Sequence, residues 1–204
     1  MIKKLDDIET VIFVGGLSGK LEGEEMPVSY PGFKGGDRTH IELPSVQRNC
    51  LKALKQAGKK IIFVNCSGSA IALTPETETC DAILQAWYGG ESGGQAVADV
   101  LFGDYNPSGK LPITFYKSSD QLKDFEDYSM QGRTYRYMDD ALFPFGFGLS
   151  YTTFEIGKAT PDKTQIKSDE SVRLTIPVSN TGKRAGTEVI QVYIRKVNDI
   201  DGPL

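Results

Sequence analysis

The sequence predicts an α/β fold with a largely parallel sheet, joined near residue 150 to an antiparallel β-sandwich module. Two observations support this prediction. Up to about residue 115, short apolar runs alternate with helical patterns, which is the signature of α/β units on a parallel sheet. After residue 150, apolar residues recur at every second position, which is typical of half-buried antiparallel strands.

Apolar runs of strand length predict four strands in the first part. They cover 10–16 (TVIFVGG), 59–66 (KKIIFVNC), 82–90 (AILQAWYGG) and 111–116 (LPITFY). Helical patterns predict one helix with Ser45 as its N-cap that ends at Gly58, and a second helix over 92–103. Parallel α/β sheets bind ligands outside the carboxyl ends of their strands, so the loop after the first strand is a natural place for function.

The second part has the period of a β-sandwich. Segment 171–182 alternates on one face through Val172, Leu174, Ile176 and Val178, and segment 187–197 alternates again. A sandwich of this kind needs about seven strands and about 100 residues. Fewer residues than that follow Ser150, so we expect a module that is cut short at Leu204.

Composition argues against several classes of function. The 204 residues are 39% hydrophobic and 25% charged, which is ordinary for a globular chain that buries a core. The formal net charge of −4 argues against nucleic-acid binding, which normally needs a basic face. No apolar run approaches the roughly 20 residues that span a bilayer, so no membrane partner is expected. The three cysteines lack metal-type spacing and predict buried thiols.

Three carboxylates follow the first predicted strand within four residues. They are Glu22, Glu24 and Glu25 of LEGEEM. In an extended loop Glu22 and Glu24 would face one way and Glu25 the other. The connection that follows is long, rich in Gly and Pro, and closes on GGDR, and such loops in compact α/β domains are often functional. The residues alone leave open both a solvated acidic loop and a catalytic carboxylate.

Four motifs in order resemble glycoside hydrolase family 3. They are GLSGKLEGEE, GGDRTHIELPSVQ, QAWYGGESGGQAVADVLFGDYNPSGKLPITF and LFPFGFGLSYTTF, and the match runs from about Val11 to the end. The family consists of exo-acting β-glycosidases and includes β-glucosidases and β-xylosidases of gut bacteria that digest plant polysaccharide. The resemblance implies part of a retaining enzyme that removes terminal β-linked sugars from plant-derived oligosaccharides. The alternative is a non-catalytic module or remnant that binds carbohydrate or a partner chain.

The resemblance also implies a C-terminal fragment without the catalytic barrel. In the family an N-terminal (β/α)8 barrel supplies the Asp nucleophile, an α/β sandwich domain extends a loop with the acid/base Glu over it, and a fibronectin-III-like domain commonly follows. Residues 1–150 would be the later part of the α/β sandwich domain, and 151–204 a truncated fibronectin-III-like domain. The family's Asp-Trp nucleophile motif has no counterpart, since the only tryptophan is Trp87 in QAWYGG. The isolated chain is therefore expected to be inactive on aryl β-glycosides.

The implied partner is an oligosaccharide or aryl β-glycoside, bound through the barrel. This chemistry needs no metal or organic cofactor. The resemblance implies a periplasmic or secreted location. The surface that faces the barrel and an open sheet edge would be exposed in the fragment, which could drive the formation of a homodimer.

By resemblance, the acid/base residue is Glu24. Retaining glycosidases use two carboxylates about 5–5.5 Å apart, one as nucleophile and one that protonates the leaving oxygen. The family motif that begins with GL continues to a Glu, one small residue and a second Glu. The second Glu is usually the acid/base residue, and it corresponds to Glu24. Glu22 is the alternative, and Glu25 occupies a place more often held by Gly. Asp37 and Arg38 match the family's DR, and we expect them to anchor the loop.

Overall fold

The computed structural model describes residues 5–22, 26–194 and 197–198. The chain divides into two compact units, 1–97 with 111–147 and 98–110 with 148–204. The elements in chain order are β1 (Thr10–Gly16), α1 (Gly19–Glu22), β2 (Ser29–Tyr30), β3 (Phe33–Lys34), β4 (Asp37–Arg38), α2 (Ser45–Gln56), β5 (Lys60–Cys66), α3 (Thr74–Thr79), β6 (Ala82–Gln85), α4 (Gly93–Phe102), α5 (Thr134–Tyr137), β7 (Phe154–Ile156), β8 (Thr160–Pro161), β9 (Leu174–Thr175) and β10 (Val178–Asn180). Within the described ranges, no helix is both long and apolar enough to cross a membrane.

A three-stranded parallel sheet in the order β1-β5-β6 organises the first unit. β1 and β5 pair along their whole length, from Thr10 opposite Lys60 to Gly16 opposite Cys66. β6 pairs with the other side of β5 in the same direction. The carboxyl ends of all three strands therefore meet at one edge of the sheet. The predicted α/β fold with a parallel sheet is confirmed.

The core of the first unit lies on one face of this sheet. Ile61 and Phe63 of β5 are fully buried there in one cluster with the buried leucines of α2. Phe13 of β1 packs against Phe63 with ring centroids 5.8 Å apart. On the other face of β1, Ile12 and Val14 are 44% and 67% exposed. Alternation along the strand thus separates a core side from an open side.

A buried ion pair joins α2 to α3. Arg48 Nε donates to Glu76 Oε1 at 2.7 Å and Arg48 Nη2 donates to Glu76 Oε2 at 3.0 Å. Arg48 Nη2 also donates to the Ala72 carbonyl at 3.2 Å. The Glu76 side chain is 1% exposed and that of Arg48 is 18% exposed. The two parallel bonds satisfy a carboxylate that would otherwise be costly to bury.

One predicted helix cap and one predicted strand end in the first unit are wrong. α2 begins at Ser45 itself, because Pro44 takes the N-cap position with an extended backbone and no side-chain cap bond forms. The strand predicted over 82–90 ends at Gln85. Trp87 has a φ of 56°, a left-handed backbone that no bulky residue adopts easily and that cannot continue a strand.

The strand predicted over 111–116 does not form. Phe115 makes only an isolated antiparallel bridge to Phe143. The Leu111 N–H donates to the Phe147 carbonyl at 2.8 Å, so the backbone of this segment bonds a later loop of the same unit. Because these loop bonds satisfy the backbone, the apolar run is not part of the parallel sheet.

The second unit contains short antiparallel ladders. β7 pairs with β10, and β8 pairs with β9. The single strand predicted within 171–182 is split into β9 and β10, because each half pairs with a different strand. Residues 187–194 form no strand, which corrects the second prediction, and 195–196 lie outside the described residues. Val172, Leu174 and Val178 are 40–45% exposed, so the predicted apolar face is not packed into a core.

Candidate active site

The carboxyl end of β1 is held in a fixed geometry before the acidic loop begins. Gly16 has a φ of 114°, and a Cβ at this position would lie 2.0 Å from the Cys66 carbonyl oxygen. Only glycine fits such a close approach of two strands. The side-chain amide of Gln47 accepts from the Gly16 N–H and donates to the Gly16 carbonyl, both at 2.7 Å. These bonds set the direction in which the chain leaves the sheet.

The single helical turn α1 carries Glu22 over this edge. Ser18 Oγ accepts from the Leu21 N–H at 3.2 Å, and the Leu21 side chain packs against the core of the unit. Glu22 Oε2 accepts from the Tyr88 hydroxyl at 3.0 Å, and Glu22 Oε1 accepts from Ser69 Oγ at 3.4 Å. The last residue of α1 is therefore tied to the segments that follow β5 and β6.

Glu24, the predicted acid/base residue, lies outside the described residues together with Gly23 and Glu25. Its assignment stays a prediction. The described chain resumes at Met26, which is 48% exposed. Of the three carboxylates in LEGEEM, the structure places Glu22 alone.

Arg38 on β4 contacts the same segment as Glu22. Its Nη1 donates to Ser69 Oγ at 2.9 Å and to the Ala70 carbonyl at 3.3 Å. Its Nε and Nη2 are enclosed and have no hydrogen-bond partner among the residues that the structure describes. Burial lowers the pKa of Arg38, and the nearby negative charge of Glu22 opposes that shift. Asp37 is exposed, and its Oδ1 accepts from the Arg38 N–H at 2.7 Å.

Tyr88 reaches Glu22 from a strained turn after β6. The left-handed backbone of Trp87 turns the chain there, and the Trp87 ring packs edge-on against Phe115 with centroids 6.1 Å apart. A Cβ on Gly68 would lie 2.8 Å from the Tyr88 ring, so the ring is packed against that backbone. Burial raises the pKa of Tyr88, and the hydrogen bond and charge of Glu22 raise it further. We call Glu22, Arg38, Ser69 and Tyr88 the Glu22 cluster.

A buried polar network supports the segment that carries Ser69. Asn65 Nδ2 donates to Gln85 Oε1 at 2.6 Å, and Gln85 Nε2 donates to Ser67 Oγ at 3.1 Å. Ser67 Oγ in turn donates to the Ser69 carbonyl at 2.8 Å. Asn65 and Ser67 are fully buried. A hydrogen-bonded network of this kind fixes the carboxyl ends of β5 and β6 beneath the Glu22 cluster.

His40, the only histidine, pairs with a carboxylate of its own segment. Its Nδ1 lies 3.1 Å from Glu42 Oε2. Burial raises the pKa of Glu42, but the hydrogen bonds from the Ser119 side chain and backbone outweigh burial and hold this pKa below its usual value. The structure does not bring His40 into hydrogen-bond contact with the Glu22 cluster. Among the described residues, no group of three or more His, Cys, Asp or Glu is arranged to hold a metal ion.

The sequence did not identify Ser69 and Tyr88 as partners of Glu22. Ser69 lies in NCSGSA, a run of small polar residues directly after a predicted buried strand. Since the carboxyl ends of parallel strands share an edge, that run is the signal that could have been used. Tyr88 follows the next strand in the same way, but the sequence predicted a strand that continued through it to residue 90.

Residues 2–151 match the family Glycosyl hydrolase family 3 C-terminal domain. The chain is 67% identical over 204 residues to a xylan 1,4-β-xylosidase of Xylanibacter ruminicola, a match that covers 100% of this chain and 23% of that protein. It is 44% identical over 173 residues to a periplasmic β-glucosidase of Salmonella typhimurium, which covers 78% of this chain and 23% of that protein. The chain therefore spans about a quarter of the length of these curated relatives.

Solved structures with a similar fold include β-glucosidases. A β-glucosidase from Erythrobacter marinus superposes with a TM-score of 0.74 at 35% identity, over 91% of this chain and 24% of that one. β-Glucosidase 3B from Thermotoga neapolitana, solved with α-D-glucose, superposes with a TM-score of 0.70 at 30% identity, over 91% of this chain and 27% of that one.

Proposed function

We propose, from the premise that this chain belongs to glycoside hydrolase family 3, that it supplies the acid/base loop of an exo-acting retaining β-glycosidase. The substrates would be terminal β-linked sugars of plant-derived oligosaccharides, because the relatives are named as β-xylosidases and β-glucosidases. The observation that carries the proposal is that the acidic loop leaves the sheet at the carboxyl end of β1, where α/β sheets bind ligands.

The proposed domain division follows the same family. Residues 1–150 are the later part of an α/β sandwich domain, and 151–204 are the beginning of a fibronectin-III-like domain. The short antiparallel ladders of the second unit support this division. The nucleophile belongs to a barrel outside this chain, and we expect the isolated 204 residues to be inactive on aryl β-glycosides.

Within the loop, we assign the acid/base role to Glu24. A general acid must present a protonated oxygen to the leaving group. Both oxygens of Glu22 already accept hydrogen bonds, one from Tyr88 and one from Ser69. Glu22 therefore holds the beginning of the loop, and the family pattern leaves the acid/base role to Glu24.

The proposed reaction has two steps. In the first, the nucleophile of the barrel attacks the anomeric carbon while Glu24 donates a proton to the leaving oxygen. In the second, the ionised Glu24 accepts a proton from the water that attacks the glycosyl-enzyme. The same residue thus acts as an acid and then as a base.

The test uses a full-length glycosidase that contains this chain, in wild-type, Glu24→Gln and Glu22→Gln forms. kcat/KM is measured on a dinitrophenyl β-glycoside, whose leaving group needs no proton, and on an unactivated β-linked disaccharide, whose leaving group does. Glu24→Gln should lose about 10²- to 10⁴-fold on the disaccharide and little on the dinitrophenyl substrate. Equal losses on both substrates, or a larger substrate-dependent loss in Glu22→Gln, would contradict the assignment.

A further inference from the structure

We infer that the loop at 122–133 of the first unit binds a neutral oligosaccharide, whose sugar rings stack on the aromatic side chains of Phe125 and Tyr128. The loop lies directly before α5, and its residues line a pocket of about 400 Å³. That volume falls within the roughly 300–1,000 Å³ of small-molecule sites. The proposed reaction does not use this loop, and only the identity of the sugar rests on the proposed function.

The two aromatic rings are the most exposed large apolar side chains among the described residues of the first unit. Phe125 is 91% exposed and Tyr128 is 86% exposed. Leu122 and Met130, which line the same pocket, are 45% and 47% exposed. Scattered apolar side chains on a surface are ordinary, but a contiguous exposed group of them marks a binding surface.

Hydrogen bonds within the loop fix its backbone while the rings remain in solvent. Arg133 Nη2 donates to the Asp127 carbonyl at 2.7 Å, and the Asp127 N–H donates to the Asp124 carbonyl at 3.0 Å. Asp124 Oδ1 accepts from the Glu126 N–H, and Asp127 Oδ1 accepts from the Ser129 N–H, both at 2.8 Å. Because the backbone is already ordered, binding costs this loop little conformational entropy.

The polar groups of the pocket suit the hydroxyl groups of a sugar. Lys123 Nζ lies 3.6 Å from Asp127 Oδ2, so an ammonium donor and a carboxylate acceptor stand side by side among the lining residues. Sugar hydroxyls both donate and accept, so one hydroxyl can bond the ammonium group and its neighbour the carboxylate. The C–H bonds on the flat face of a sugar carry a small positive charge and stack on the electron-rich face of an aromatic ring.

The charge of the loop argues against an anionic partner. Residues 122–133 contain three acidic and two basic side chains. Arg133 is bonded to backbone carbonyls, and Lys123 is paired with Asp127. Nucleic acids and anionic membranes need an excess of basic groups, which this loop lacks. Because the relatives are named as β-xylosidases and β-glucosidases, we expect β-linked xylose or glucose units.

The experiment titrates the 204-residue chain with xylotetraose and with cellotetraose and follows the binding by ¹⁵N NMR. The amide resonances of 122–133 should shift. Phe125→Ala and Tyr128→Ala should each weaken the binding by about tenfold, because each removes one stacking ring. The matched control is Phe102→Ala, whose ring is 76% exposed and does not line the pocket, and it should bind like the wild type. Added salt should not change the affinity, since the ligand is uncharged.

Four results would overturn the inference. They are the absence of shifts in the loop up to about 10 mM of either tetrasaccharide, equal weakening in Phe102→Ala, unweakened binding in both loop variants, and binding to anionic phospholipid vesicles in place of the sugars. These measurements do not depend on catalysis. If the tetrasaccharides bind while Glu24→Gln lacks its substrate dependence, only the proposed function fails, and the opposite pair of results removes only this inference.

A second measurement tests whether another part of a longer protein covers the rings. In a full-length glycosidase that contains this chain, Phe125→Ala should leave the thermal midpoint unchanged, because the side chain is 91% exposed and free to bind sugar. A fall of several degrees would show that the ring is packed against the rest of that protein, and it would overturn the inference.

Discussion

Replacing Glu76 by Gln should strongly destabilise the first unit. The carboxylate is 1% exposed and accepts two charge-assisted hydrogen bonds from Arg48, which is itself 18% exposed. Hydrogen bonds to charged groups contribute about 1.5–3 kcal/mol each. The glutamine oxygen can keep one hydrogen bond, but the glutamine NH₂ group would face a guanidinium N–H, and two donors cannot bond each other. The positive charge of Arg48 would also lose its negative partner. Breaking a buried pair in this way costs about 3–5 kcal/mol, and we expect about 3 kcal/mol here.

The assay is urea unfolding of the 204-residue chain, followed by circular dichroism. With a slope of about 1–3 kcal/mol per molar urea, the midpoint of the first unit should fall by about 1–3 M. The matched control is Glu9→Gln, which removes an ion pair with Lys60 whose side chains are 76% and 63% exposed. Both side chains of that pair are solvent-exposed, so the loss of the pair should not move the urea midpoint measurably.

A loss of less than about 1 kcal/mol in Glu76→Gln would refute this reasoning about the buried pair. The double variant Arg48→Met with Glu76→Leu gives a second check, because it replaces both charges by apolar groups of similar size. Its stability should return close to that of the wild type, since well-packed apolar residues often substitute for a buried ion pair without loss. A double variant as unstable as Glu76→Gln would show that packing rather than charge is the cause.

Three further predictions concern glycine, thiol and carboxylate positions. Gly16→Ala should lower the unfolding free energy by more than about 2 kcal/mol, because its Cβ would lie 2.0 Å from a carbonyl oxygen of β5. The control Gly19→Ala has open space around its Cβ and should not lower it. Equal urea midpoints for the two variants would contradict this prediction. Burial raises the pKa of Cys80 to about 11. Alkylation of this thiol by iodoacetamide at pH 8 should therefore be at least about 100-fold slower in the folded chain than in urea. Similar alkylation rates in the two conditions would contradict this prediction. The lowered pKa of Glu42 means that its stabilising contribution is complete above the unfolded value near 4.5 and is lost as the pH falls through the folded value. Ser119→Ala should therefore cost stability at pH 7 and less at pH 3, and a cost independent of pH would count against this linkage.

The sheet and its main helices were predictable because their signals are long and local. TVIFVGG and KKIIFVNC are apolar, rich in β-branched residues and of strand length, and they form β1 and β5. LPITFY has a similar composition but bonds to a loop, because a short apolar run does not determine which backbone will pair with it. In the second unit, alternation predicted the apolar side of the strands and not its burial, which depends on what packs against it.

The candidate site was only partly predictable. The position of LEGEEM after a buried strand identified the region, since the carboxyl edge of a parallel sheet is a general ligand site. The partners of Glu22 lie 47 and 66 residues further along the chain, and no spacing rule connects them to it. The strained φ of Trp87, which directs Tyr88 towards Glu22, has no signature in the sequence because it is enforced by tertiary packing.

The most direct test of the central claim is azide rescue of Glu24→Ala and Glu22→Ala in a full-length glycosidase that contains this chain. A dinitrophenyl β-glycoside forms the glycosyl-enzyme without acid assistance, and azide can attack that intermediate without a general base. If Glu24 is the acid/base residue, azide should restore turnover in Glu24→Ala alone, and the product should be the β-glycosyl azide. Failure of azide to accelerate Glu24→Ala, or a β-glycosyl azide formed by Glu22→Ala instead, would contradict the account.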